Sequence, residues 1–513
     1  MKELNPETSR MFAYHEATKH TVESIYGSRH VLDWANMPDP FRHYEGVPVI
    51  DLPADPPAPR TPALDVLRGV KGGDAATDGL TFLSRLLYYS ASISATKVVP
   101  SAGYRYALRV NPSSGNLHPT EFHFAARGLR GVEDGLYHYR VSSHMAEQRA
   151  RGDVISRLQE AAGSPLLRNS PLIFLLTSIA WREAWKYRNR AYRYCLHDAG
   201  HAWQALALAA RALGCEAFAV GEFPDDRLSR FACLSDEWPL LLVALRGPAV
   251  PVEDREHREL EWLGGKPNVL SPEAVEYPLI EEMHEASKLG NRSGAIERLE
   301  GPRAGRGTIA LRPAEHSETP FGAVARRRRS ALDFRGGYET ISFEQLSTLL
   351  EATEQPFHAD FEGDVVGGSS MRLIQLYLYV HRVRGLEPGV YRLWRPSNTL
   401  ERLKWGDQRV IAAGLSLSQD LAGNACVAFS MVGDLNRAAR QFGNRGYRYV
   451  FMEAGAIGQR LYLCAEALGF QATGIGAFYD DQVHRYLEIP PEQGQVVYHF
   501  ACGYAVHDPR LGG

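Results

Sequence analysis

"NRAYRYCLHDAGHAWQALALAARALGCEAFAVGEFPDD" (residues 189–226) and "NRGYRYVFMEAGAIGQRLYLCAEALGFQATGIGAFYDD" (444–481) are one pattern written twice. The offset is a constant 255, without a gap. Asn-Arg, Tyr-Arg-Tyr, Ala-Gly, Gln, Ala-Leu-Gly, Gly-x-Phe and Asp-Asp recur in place. A second pair agrees at an offset of 254: "RGVEDGLYHYRVSSH" (130–144) and "RGLEPGVYRLWRPSN" (384–398). Self-similarity on this scale marks a repeated domain rather than a short solenoid unit. Two similar domains in one chain amount to a covalent pseudo-dimer. A two-fold dimer has two equivalent interface sites, and after fusion each can change alone.

Pattern supplies coarse structure. Residues 197–213 and 452–468 read as small-residue-rich amphipathic helices, each stopped at Leu-Gly (Gly214 and Gly469). "FHFAA", "LIFLLTSI", "LLLVALRG", "ACVAFSMVGD" and "VVYHFACG" read as short buried strands. Strands and helices mix without βαβ alternation, so the fold class is α+β. Residues 38–62 hold eight prolines and suit an extended surface arm. The organisation expected is an extended N-terminal arm (1–65), a first domain (66–250), a linker with a helix near 273–289 (251–320), and a second domain (321–513).

Composition excludes several classes. Apolar content is 44% and net charge −3 over 513 residues, which gives no electrostatic reason for a nucleic-acid or anionic-membrane partner. No stretch approaches the length of a membrane span, and the first twenty residues lack the apolar core of a signal peptide. The six cysteines are scattered without a C-x-x-C pair, so neither a zinc site nor a disulfide framework is expected, and a reducing cytosol fits.

The halves differ where polar chemistry is concentrated. "RVNPSSGNLHPTE" (109–121) faces "DVVGGSSMRLIQL" (364–376): Arg109 against Asp364, Ser113 against Gly368, Asn116 against Met371, His118-Pro119 against Leu373-Ile374. Lys186-Tyr187 faces Gln441-Phe442. The second half instead carries "ARRRRSALDF" (325–334), whose guanidinium groups and Ser330 suit a phosphate. The corresponding "TPALDVLRGVKGG" has no such cluster. The losses are complementary, so one composite site across the pseudo-dimer would use all three features and the other site none. Lone Lys-Tyr pairs and arginine runs are common; their complementarity gives them weight. His201 reads as a hydrogen-bonded interface histidine, Asp225-Asp226 and Asp480-Asp481 as charges at helix starts, and His118 as a substrate-side residue. No metal site is expected.

This combination resembles the nitroreductase superfamily of FMN enzymes, and within it the SagB-type (thiazole/oxazole-forming) dehydrogenases. The resemblance implies a four- or five-stranded antiparallel sheet wrapped by helices, with FMN at the interface between halves. It assigns Pro112, Ser113, Ser114 and Asn116, with Arg109, to a flavin-contacting turn. Arg328, Arg329 and Ser330 match the phosphate motif. Gly476 and Ala477 of "GIGAFYDD" lie nearest the flavin ring, and Lys186 and Tyr187 match the catalytic pair. Leu332 stands where a second basic residue is usual, and Cys502 where an Arg is usual (Arg246 in the first half). Phosphate binding would then lean on Arg326 and Arg327. The implied function is dehydrogenation of a peptide-derived substrate such as azoline to azole, with hydride to flavin N5 and Lys186 or Tyr187 taking the proton. Partners would be a peptide or small molecule and a biosynthetic enzyme. Alternatives are an NAD(P)H-dependent quinone or nitro reductase, and a non-catalytic subunit of a modifying complex.

Overall fold

Each copy of the repeated stretch forms a long helix, an edge strand, and the start of a short helix on its closing Asp-Asp. The computed structural model describes residues 8–73, 78–99, 104–256, 258–289, 307–366 and 369–511. Gly367 and Gly368, opposite the first half's polar turn, lie outside them. The long helices are α1 (Ala191–Ala212) and α2 (Gly446–Ala467). Both begin six residues before the apolar pattern suggested, because Tyr-Arg-Tyr is itself helical and buried by the opposite half. Helices buried on every side belong to a core, and here the core is the junction between halves. The repeated Ala-Gly makes the crossing. A Cβ on Gly200 would stand 2.1 Å from Met452 O, and one on Gly455 2.1 Å from His197 O.

Each half builds an antiparallel sheet. In the first, β1 (Thr120–Ala126), β2 (Gly135–Arg140), β3 (Met145–Arg151), β4 (Leu172–Ser178), β5 (Glu216–Val220) and β6 (Trp238–Arg246) stand in the order β3-β2-β1-β4-β6-β5. In the second, β7 (Ile374–Val380), β8 (Gly389–Trp394), β9 (Thr399–Trp405), β10 (Val427–Gly433), β11 (Gln471–Ile475) and β12 (Gln495–Gly503) stand in the order β9-β8-β7-β10-β12-β11. The α+β class with two nitroreductase-like sheets holds, but the sheets are wider than the four or five strands expected. Beyond six matched strands, Val49–Asp51 and Glu261–Trp262 both pair with β3, and Ile309–Ala310 pairs with β9. These additions come from the arm and the linker and cover edges that would otherwise expose unpaired backbone groups.

The extended arm needs correction, and the linker helix is shorter than its expected span. Residues Ser9–Ala17 are helical, with Met11 and Tyr14 buried at the junction. The linker helix spans Pro278–Ala286, starting only at Pro278, which suits a first helical turn. The two helices do the same work. "HEATKH" (15–20) and "HEASKL" (284–289) are a third repeated pair, at offset 269. Lys19 pairs with Asp481 and Lys288 with Asp226. His20 N donates to Asp480 and Leu289 N to Asp225, both at 2.9 Å.

These contacts close two buried clamps. Arg190 and Arg193 of the first half reach Asp480 of the second at 3.0 and 2.9 Å. Arg445 and Arg448 of the second half reach Asp225 of the first, both at 2.6 Å. The Asp-Asp pairs do start helices, but their first members are cross-half ion pairs. Burial alone would raise both carboxyls, yet the arginines hold them below the usual carboxylate range. Removing one partner of a buried pair leaves uncompensated charge. Asp225→Asn should therefore cost about 3–5 kcal/mol of unfolding free energy, read by urea titration. Because the folded carboxyl is depressed, wild-type stability should fall as pH drops below about 4, and the variant should show less of that loss.

Candidate functional site

The polar stretch 109–121 is buried, not a surface loop. Arg109, Asn111, Leu117 and His118 are each at most 4% exposed. Gly115, Asn116 and His118 all have positive φ (59, 61 and 51°), the left-handed geometry that glycine and asparagine tolerate best. The turn is held from within and from below. His118 N donates to Ser113 Oγ at 2.8 Å, and Asn116 Nδ2 to Ala107 O at 3.0 Å. Ser114 donates through N and Oγ to Asp198 of α1, at 3.1 and 3.0 Å. Asn116 and Ser114 thus hold the turn's shape, while its Ser113–Gly115 edge faces open space.

Two adjoining cavities share Pro112, Ser113, Gly115 and Ser330. One is about 530 Å³ and is lined by Arg109, Asn116, His118, Arg328 and Arg329. The other is about 280 Å³ and is lined by Ser114, Tyr187, Tyr194, Asp198, Gly476 and Ala477. Residues from both halves therefore line the cavities together. Arg328, buried, donates to Val110 O and Arg109 O at 3.0 Å each, tying the second half's cluster to the first half's turn. Its Nη1 has no partner, and neither do Nε and Nη1 of Arg109 or Nδ1 of His118. Ser330 Oγ lies 2.8 Å from Tyr462 Oη. Arg326 and Arg327 do not reach the cavities: Arg326 donates to Ser92 Oγ at 2.7 Å and Arg327 faces Glu466 at 3.4 Å.

Lys186 and Tyr187 end the helix Ala180–Tyr187. A Cβ on Gly115 would stand 2.7 Å from Tyr187 Oη and 3.2 Å from Lys186 Nζ, so both side chains press on the turn. Burial, then the nearby Glu183, raises the Tyr187 phenol well above its ordinary value, which keeps it neutral. Arg188 follows at φ 51°, ψ −137°, a strained position held by glycine (Gly443) in the second half. His118 is kept neutral by burial and by Arg109, Arg182 and Arg328. His201 bridges the halves, 3.3 Å from Gln459 Oε1 and 3.2 Å from Tyr498 Oη.

Sequence reasoning passed over Asp198 and Glu183. Both left a signal. Asp198 faces Glu453, whose carboxylate accepts from Leu373 N and Ile374 N at 3.1 Å, so an acid supports the equivalent turn in each half. Glu183 faces Ala438 and shares a helix face with Lys186 and Tyr187, all three lost together in the second half.

The pseudo-equivalent site is partly occupied by the chain itself, and a cavity of about 230 Å³ lined by Ala207 and Phe218, the counterparts of Tyr462 and Thr473, stays open beside it. Gly221 and Glu222, the counterparts of Gly476 and Ala477, donate their N–H groups to Asp360 at 2.7 and 3.0 Å. Phe361 stacks on Tyr449, the counterpart of Tyr194, at 4.3 Å and 2°. Among the described residues no group of side chains could hold a metal, no helix is long and apolar enough to cross a membrane, and no cysteine is paired.

The chain is similar over nearly its whole length to a crystallised nitroreductase-like protein of Anabaena variabilis, with TM-score 0.76, 27% identity, and 97% of this chain and 99% of that one covered. A nitroreductase-like protein of Methanocaldococcus jannaschii is 33% identical over 185 residues, 36% of this chain and 91% of the relative. The trifolitoxin-processing protein TfxB of Rhizobium leguminosarum bv. trifolii is 32% identical over 152 residues, 28% of this chain and 40% of its own. The model of the nitroreductase family matches residues 95–247 and 325–504. Those segments are the two sheets with their long helices and together cover most of the chain, so the protein belongs to the nitroreductase family.

Proposed function

We propose that the chain is a cytosolic FMN-dependent oxidoreductase with one composite site, which dehydrogenates a heterocycle in a modified peptide, azoline to azole. Support comes first from Lys186 and Tyr187 abutting Gly115 at the junction that also holds the Arg328–Ser330 cluster, while at the other junction Asp360 and Phe361 occupy the space beside Gly221, Glu222 and Tyr449. The unpartnered Arg328 Nη1 and Arg109 Nη1 fit a phosphorylated cofactor, since buried guanidinium donors without acceptors are costly. Arg328, Arg329 and Ser330 would hold the phosphate. Arg109, Ser113, Ser114, Asn116, Gly476 and Ala477 would shape the ring's surroundings. FMN, when bound, supplies a two-electron acceptor.

The remaining work falls to the chain. Tyr187, neutral, is suited to donate a hydrogen bond rather than to act as a base, which leaves Lys186 as the proton acceptor. Both side chains are half-buried beside the turn. The trifolitoxin-processing relative is the reason for choosing a peptide over a free small molecule, and a peptide-modifying enzyme is the partner this implies.

Purified protein should carry one FMN per chain by absorbance, and two would overturn the single-site reading. Arg328→Gln should weaken FMN binding by about 10–100-fold, the loss of one or two charge-assisted hydrogen bonds. Lys186→Ala should keep FMN and slow substrate-dependent flavin reduction by about 10²–10⁴-fold in stopped flow. Rapid bleaching of the wild-type flavin by NADPH would instead favour a quinone or nitro reductase.

A further inference from the structure

Beneath the Ser113–Gly115 turn lie two carboxyl groups that no ion pair explains. Asp198 is 2% exposed and accepts from Ser114 N and Oγ. Glu183 is fully buried, with its carboxyl group against Asp198 and Ser113. It stands three and four residues before Lys186 and Tyr187 on one short helix, so the three share a face. The second half has Ala438 at the equivalent position. We propose that Glu183 and Asp198 form one protonatable unit that positions the turn and takes up the proton released at Lys186 during each oxidation. The proposal rests on the function proposed above.

Burial, then the charge of Asp198, lifts Glu183 well above the carboxylate range. Burial pushes Asp198 up to about 7 against the hydrogen bonds of Ser113 and Ser114. The pair therefore passes from two protons to one as pH rises through about 7. The titratable groups facing it are Lys186 and Tyr187 on its own helix, Cys195 on α1 and Tyr498 on β12. Burial holds Cys195, Tyr187 and Tyr498 well above their ordinary values, so they stay protonated near neutrality. FMN, when bound, would supply the two-electron acceptor, and the substrate's proton would pass to Lys186 Nζ. An N–H bond of the ammonium then breaks as an O–H bond forms on the carboxylate of the pair.

Asp198→Asn keeps an oxygen acceptor for Ser114 and Glu183→Gln keeps volume, so both should fold. Infrared titration of the purified protein should show a carboxylic-acid C=O band that fades through pH about 7 and is lost or shifted in each variant. The same band in both variants would overturn the proposal, whether or not the protein binds FMN. In holoprotein, the flavin midpoint potential should change slope against pH near that value in wild type and stay linear in both variants. Identical slopes in all three would also overturn it. An absent cofactor would instead defeat the function proposed above and leave the infrared result decisive for the pair.

Discussion

The structure turns on four arginines that cross from one half to the other. Arg190 and Arg193 close on Asp480, and Arg445 and Arg448 on Asp225, with every partner at most 4% exposed. Buried pairs of this kind are costly unless fully hydrogen-bonded. Here the balance is completed by Thr18, His15 and His20 on one side and by Ser287 and Leu289 on the other. Neither half supplies all the members of a clamp, so neither can satisfy its own buried charge alone. The N-terminal helix and the linker helix follow as equivalent lids over equivalent clamps.

That symmetry makes the asymmetry of the sites informative. The two junctions share an acid on the long helix that accepts from the backbone ahead of a strand, and a Gly-x segment from the opposite sheet. One junction is partly occupied by Asp360 and Phe361, which satisfy the N–H groups of Gly221 and Glu222 and stack on Tyr449. The other keeps its space and its unpartnered donors. The clamps and the helix crossing are shared by both junctions, while the side chains that line them differ. The open junction holds the unpartnered donors of Arg109 and Arg328, the left-handed Asn116 and His118, and the strained Arg188. Strain and unsatisfied polarity of this kind are tolerated where a ligand or a reaction needs them.

How much was legible in the residues depends on range. The repeat, the long helices, the buried strands and the antiparallel α+β class were readable because apolar periodicity and stop signals act over neighbouring residues. The split of the site between halves was also readable, because two copies in one chain allow positions to be compared directly. Arg326 and Arg327 misled, since a run of arginines does not say which of its side chains turn inward. The arm and linker helices were missed as a repeat because six matched residues at a different offset fall outside the longer alignment.

By itself, then, the sequence showed two halves that resemble each other and which half carries which polar groups. Those are properties of local pattern and of comparison along the chain. Only the tertiary structure decided that the open junction is bounded by Arg328 against Arg109, that Asp360 and Phe361 occupy part of the other, and that Glu183 and Asp198 lie together beneath the turn. These depend on residues tens to hundreds of positions apart meeting in a dry interior, where burial shifts a carboxyl by several units and a single missing partner decides whether a space is filled or kept.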